Sequence, residues 1–327
     1  VKKGSVAFAN FICTFGDKGG LLDQSNITMQ AFLTDTLIRT YGNGRYHLYD
    51  AKIVEMGNAD GTPILALRGH FVKNTILSRE QLFDADAGLV ASRQSMESSP
   101  SAFFLLILNT HRLVYYAETS HAPDLKSFEA TMAHFIKRIR EQQIETEYRS
   151  KNNKKTRVQL QRELPRPSVK ITPLSETGKI NDAIRSFAKI KSIRFRLIRP
   201  NHESDAAEVV GAVQGRFSPL QPDRLDILAS RSDGLDISEV EEAVEETTQS
   251  GNTEILVTGE DIDGSRIKVS NNEFALTSDL VDAAKTDGKL GRQLFQLYSK
   301  FVAAGKIKIN AIDAEIAKQI NTLAGLL

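Results

Sequence analysis

From its start to about residue 120 the chain alternates apolar and polar positions or runs apolar for strand lengths; from Leu125 the apolar residues recur at helical spacing. Val6–Thr14 reads as a buried first strand. Thr28–Ile38 carries Met29, Phe32, Leu33, Thr36 and Leu37 at helical spacing, which predicts a short helix. After the Gly42-Asn43-Gly44 turn, Tyr46–Met56 alternates as a strand, and Asp60-Gly61 marks a hairpin into Ile64–Val72. Ala102–Leu108 is a continuous apolar run of the central-strand type, and Asn109-Thr110-His111 turns it into Leu113–Ala117. Together these segments predict an antiparallel sheet.

A long amphipathic helix follows, its stripe made of Phe128, Met132, Phe135, Ile136, Ile139 and Ile144, with Lys137, Arg138 and Arg140 opposite. It leads into a basic loop, 149–157, and then into Leu164-Pro165-Arg166-Pro167, which reads as a linker or hinge. Beyond it helices and strands alternate: a helix over Ile180–Phe187, a strand over Ser192–Ile198 and a strand over Leu225–Ala229. Ser238–Gln249 reads as an acidic helix capped by Ser238, with Glu241 at capping-box spacing. A hairpin is expected around Asp263-Gly264, joining Glu254–Glu260 to Arg266–Val269. Lys289–Ala304 and the stripe Ile312, Ile316, Ile320, Leu323 and Leu327 end the chain in helices. The expected fold class is α+β in two domains. Residues 1–160 form an N-terminal antiparallel-sheet domain with the long helix, and residues 161–327 a smaller C-terminal α+β domain with a helical end and a possible role in dimerisation.

Composition adds little until it is divided along the chain. The 327 residues, 41% hydrophobic and 25% charged, describe an ordinary globular protein and exclude collagen-like, disordered and disulfide-scaffold classes. No apolar run approaches the ~18 residues of a membrane helix. Lys2-Lys3 ahead of an apolar stretch has the outline of a signal peptide, but Asn10 interrupts it and no small-residue cleavage site precedes Gly16-Asp17. The single cysteine, Cys13, excludes an intrachain disulfide and fits a cytoplasmic location. The net charge of +1 conceals opposed blocks. Residues 137–199 hold 18 Lys and Arg against 6 Asp and Glu, a net of +12, and residues 200–282 hold 5 against 19, a net of −14. The first is what a polyanion-binding surface needs; the second is its partner, its shield or a solvated face.

Motifs for other chemistry are thin. Gly16-Asp17-Lys18-Gly19-Gly20 lacks the spacing of a phosphate cradle, and Gly288-Lys289 has no upstream glycine. His47, His70, His111, His121, His134 and His202 never fall at i, i+3 or i+4, so spacing gives no metal site. Asp261-Ile262-Asp263-Gly264 begins like a calcium loop but lacks its closing carboxylate. No nucleophile elbow or ordered triad stands out, so no catalytic residue, cofactor or metal is assigned. One alternative is a metal-dependent nuclease: Asp35, then Asp50-Ala51-Lys52 with Lys52 on a strand, has the form in which carboxylates hold a divalent ion and a lysine positions water. Another is an oligomeric interaction protein in which the basic block of one subunit meets the acidic block of another. The basic block itself offers Arg149, Lys151, Lys154, Lys155 and Arg157, five cations in nine residues, then Arg162, Arg166, Lys189, Lys191, Arg194, Arg196 and Arg199. Without a recognition-helix or zinc-finger pattern, such a set contacts phosphates and is indifferent to sequence.

The order of segments also resembles that of the RexA-like phage-exclusion family. The matching pieces are Ser98–Leu106, Tyr115-Tyr116-Ala117, Pro123-Asp124-Leu125, Ile193–Pro200, Arg224–Leu228, Glu254–Gly264, Phe274-Ala275-Leu276 and the Lys289–Ala304 helix. This resemblance implies a two-domain homodimer that binds double-stranded DNA without sequence preference, in an anti-phage exclusion or abortive-infection system, beside a membrane protein encoded nearby. The present chain is longer than the family pattern and its acidic block is heavier.

Overall fold

A computed structural model describes residues 2–151, 153–198, 224–248, 251–309 and 312–326. The fold is α+β, built on a large antiparallel sheet and a second, smaller one. Strand β1 (Ser5–Thr14) sits inside the large sheet, whose order is β13-β1-β7-β6-β4-β3-β2. Here β2 is Arg39–Tyr41, β3 Gly44–Ala59, β4 Thr62–Asp84, β6 Ser101–Ile107, β7 Arg112–Ala117 and β13 Thr277–Asp279. Strands β6 and β7 are buried along almost their whole length because both faces are covered, which is why they read as unbroken apolar runs.

On one face lie helix α1 (Ser25–Leu33) and the long helix α2 (Leu125–Arg149). They enclose a core of Phe11, Phe32, Phe71, Phe104, Phe128 and Phe135. Asp124 caps α2, its Oδ1 accepting from Ser127 N at 2.8 Å. On the other face the C-terminal helix α6 (Asp287–Ala303) packs Leu290, Leu294 and Tyr298 on Val6, Phe8, Phe103 and Leu105. The final helix α7 (Ala314–Ala324) places Ile316 and Ile320 in the first core. The second sheet, β10-β9-β11-β12, carries α4 (Thr177–Arg185) and α5 (Ile237–Thr248) on one face around Ile193, Val244, Val257 and Phe274. Its strands are β9 (Lys189–Ile198), β10 (Arg224–Leu235), β11 (Thr253–Glu260) and β12 (Arg266–Ser270).

The structure departs from the sequence expectations in three places. The strand expected to stop at Val72 continues to Asp84 and returns as β5 (Gly88–Ser98), a ribbon whose polar-rich sequence gives a weak apolar period. The Pro-rich stretch, expected as a hinge, is tied down. The buried Arg140 donates through Nε to the carbonyls of Leu164 (2.8 Å) and Pro165 (2.9 Å), just past the end of the helix over Arg157–Glu163, where carbonyls have no helical partner. The following strand β8 (Ser168–Pro173) pairs with β1, so the chain beyond residue 160 supplies β8, β13, α6 and α7 to the large sheet and its covering layers. Finally, α5 is capped by Asp236, not Ser238: Asp236 Oδ1 accepts from Ser238 N at 2.9 Å and Glu239 N at 3.2 Å. A carboxylate one residue ahead of the helix reaches its first free amides better than a hydroxyl already inside the first turn.

Candidate nucleic-acid interface

The described residues of the expected basic loop lie at a corner between two helices. Helix α2 ends at Arg149, and helix α3 (Arg157–Glu163) begins behind a capping box in which Thr156 and Gln159 satisfy each other's backbone amides. Asn153 fixes the turn, its Oδ1 accepting from Lys155 N at 2.8 Å and its Nδ2 donating to Lys155 O at 2.9 Å. Helix α2 supplies Glu145 to both Arg149 (2.6 Å) and Arg157 (3.3 Å), and Lys155 meets Glu163 at 2.7 Å. The bond to Glu163 raises the Lys155 pKa. Lys151, Lys154 and Arg162 make no ion pair or side-chain hydrogen bond with any described residue and stand exposed on the corner.

The second set lies on β9. Alternation puts Ile193 into the small core, buries Leu197 and turns Arg194 and Arg196 to the opposite face, toward the first turns of α2. There register decides the electrostatics: Arg196 stands between Asp226 of β10 and Glu254 of β11, with ion pairs of 2.8 and 3.3 Å. Those bonds, Asp226 first, raise its pKa. Lys191 pairs with Glu260 at 3.7 Å. Arg194 has no charged partner among the described residues, its cross-strand neighbours being Leu228 and Leu256. Arg199 and His202 lie outside the described residues. Arg194 and Arg196 line a cleft of about 330 Å³ between the sheets, together with Lys126, Glu129, Lys170 and Glu254.

The two basic sets are therefore separate. The cleft adjoins Glu129 in the first turns of α2, whereas the corner begins at Arg149, twenty residues or about 30 Å farther along the helix. The acidic block also acts locally. Its strands and helix supply Glu241 to Arg185, Glu260 to Lys191, Glu254 to Lys170, and Asp226 with Glu254 to Arg196, but the corner's ion pairs come from Glu145 and Glu163. The described acidic residues shield β9 and leave the corner open.

The nuclease candidates part company. Asp35 lies exposed just beyond α1, which packs in the first core. Asp50 and Lys52 flank a bulge in β3 and pair with each other at 2.9 Å. They sit beside α6 on the other side of the sheet, where Asp287 is a near neighbour of Asp50. The bulge puts Asp50 at φ 49° and is accommodated opposite Gly69, where a Cβ would lie 2.8 Å from Ala51 Cα. Next to it His70 bridges two carboxylates: Nδ1 is 2.9 Å from Glu118 Oε2 and Nε2 is 3.0 Å from Asp287 Oδ2, with Arg68 3.8 Å from Asp287. Burial pulls the His70 pKa down, but the bonds and charges of Glu118 and Asp287 outweigh it and the net shift is upward. The bond from Lys52 is the main reason the Asp50 carboxyl lies below its ordinary value. Strand alternation placed Arg68 and His70 on one face; nothing local pointed to Asp287, 217 residues from His70. Among the described residues no group of three or more His, Cys, Asp and Glu is placed to hold a metal ion, and no helix is long and apolar enough to cross a membrane.

Residues 30–292 match a family model described as a domain of unknown function, DUF4747. No curated protein matches the chain.

Proposed function

The chain belongs to the DUF4747 family, whose description names no activity, and we propose that it is a sequence-independent double-stranded DNA-binding protein using the α2–α3 corner. The observation that carries this reading is the set of exposed cations Lys151, Lys154 and Arg162, which have no ion-pair partner among the described residues, beside a helix start set by the Thr156 capping box. The hydrogen bonds of Asn153 and Thr156 hold part of this corner in one conformation, which lowers the chain entropy lost when its charges meet a phosphate backbone. Arg194 supplies a second, smaller contact. The resemblance to RexA-like exclusion proteins supports a cytoplasmic role in an anti-phage system, with a homodimer and a membrane protein encoded nearby as partners.

The test is fluorescence anisotropy with two unrelated duplexes over a range of salt. Three phosphate contacts predict that log affinity falls with log salt at a slope between about −2 and −3, alike for both duplexes. Changing Lys151, Lys154 and Arg162 together to Glu abolishes that binding while the thermal melt is kept. A slope near zero, or a strong preference for one duplex, rejects the reading.

The meeting of Asp50 and Lys52 with His70 and Asp287 favours one second reading, phosphodiester cleavage at the β3 bulge. In it Lys52 and Arg68 hold the phosphate, Asp50 takes the proton of the water that attacks phosphorus, and protonated His70, turning one N–H from its carboxylate, gives that proton to the leaving oxygen as the P–O bond breaks; Asp35 takes no part. Nicking of plasmid by the wild type, with or without Mg²⁺ or Mn²⁺, that disappears in both Asp50→Ala and His70→Gln would establish it.

A further inference from the structure

The β4–β5 ribbon is an amphipathic arm. From Thr75 to Asp84 strand β4 pairs with β5 alone, having left β3 at Asn74 and β6 at Val72. The paired segment extends roughly 30 Å. An isolated two-stranded ribbon is marginal in water, and three or more strands or a packed face are needed to hold one in place. Its two faces differ. One carries the cross-strand pairs Leu77–Met96 and Phe83–Leu89, with Arg79 between them bonded to Gln94 and Ser92. The other carries the carboxylates Glu80, Asp84 and Glu97 among Ile76, Leu82 and Val90, so charge and not apolar content alone separates the two faces.

The apolar pairs are open to solvent: Phe83 is 71% exposed, Leu89 70%, Met96 65% and Leu77 43%. Full side chains of this size present roughly 150–250 Å² each. The four therefore expose on the order of 450 Å² per arm and about 900 Å² in two copies. Covering the Arg79–Gln94 row and the intervening backbone as well brings the total to the ~1,200 Å² at which specific interfaces begin. The carboxylates on the back of the arm, with Asp86 in its turn, disfavour a nucleic acid as the occupant. They equally disfavour back-to-back pairing of two arms. The apolar face is self-complementary: turned by a two-fold axis through the Arg79 row, it sets Phe83 and Leu89 of one copy over Leu77 and Met96 of the other.

We propose that this face of the arm binds the same face of a second copy of the chain, making an antiparallel arm-to-arm dimer. This rests on the arm alone and is independent of the DNA-binding reading. The experiment is light scattering on the full chain over roughly a hundredfold range of micromolar concentrations. The wild type is expected at twice 36.2 kDa, and the double variant Phe83→Asp, Leu89→Asp at the single-chain mass with an unchanged melt, since both positions are exposed. A wild type that stays at the single-chain mass throughout, or a folded double variant that stays a dimer, overturns the proposal. Cysteine cross-linking reads the packing without apolar-to-charge changes. Cys13 is fully buried, so Leu89→Cys and Met96→Cys each add the one accessible thiol among the cysteines of its chain. Mixed together, the two variants should oxidise to a covalent dimer that neither gives alone. Absence of that mixed species also overturns it.

Discussion

At the scale of single residues, position matters more than type. The chain has six histidines, and one of them, His70, is held between Glu118 and Asp287 at hydrogen-bonding distance from both. Only the imidazolium donates from both nitrogens, so this clasp between the sheet and the first turn of α6 is made by the protonated ring. Arg68, Asp50 and Lys52 face the same cluster. With its folded pKa above the ordinary 6.5, His70 contributes stability in full below about pH 6.5 and loses it as pH rises through the folded value. Urea midpoints of the wild type are therefore expected to fall between pH 6 and 8 relative to those of His70→Gln, which has no proton to lose there. Parallel pH profiles for the two proteins would show that the clasp does not titrate in this window.

At the scale of elements, ends and edges decide more than interiors do. The interior of α2 follows its stripe of Phe128, Met132, Phe135, Ile136 and Ile139, every one buried. The start of α5 was misread because Ser238 and Glu241 satisfy a capping pattern that Asp236 satisfies earlier and better. Its carboxylate accepts two backbone amides and the Ser238 hydroxyl, and those bonds hold its pKa below the ordinary value. Asp236→Ala is expected to lower the denaturation midpoint clearly and Ser238→Ala to lower it much less, measured by chemical denaturation. Equal losses would return the cap to Ser238. The β4–β5 arm escaped notice for a related reason: with water on both faces, period-two alternation has no core to reward it, and Leu77, Leu82, Phe83 and Leu89 looked like scattered apolar residues in a polar stretch.

For the whole molecule, the opposed charge blocks take on a geometry. Strand order sets acidic β10 and β11 on either side of β9, so charges far apart in sequence become cross-strand neighbours. The same order leaves the turn after Arg149 about 30 Å along α2 from the cleft, and among the described residues its ion pairs come from the nearby Glu145 and Glu163. Removing the shield should therefore uncover a second phosphate contact. Asp226→Asn with Glu254→Gln is expected to raise DNA affinity several-fold at low salt and to steepen the salt slope by about one unit as Arg196 is released. Affinity and slope unchanged from the wild type would place all DNA contact away from β9.

The sequence by itself determined the fold class, the central strands, the long helix, the β11–β12 hairpin and the division of charge, because each is written in local periodicity or composition. It also determined which cations are available. Tertiary structure alone decided which of them stay unpaired, since that depends on strand register and on where Glu145, Glu163, Asp226 and Glu254 come to rest. It alone brought Asp50 to Asp287 and sent Asp35 elsewhere, and it made the Pro-rich stretch a clamped segment through Arg140. Hydrophobic pattern is a property of neighbours along the chain, whereas charge pairing is a property of neighbours in space, and only folding converts one into the other.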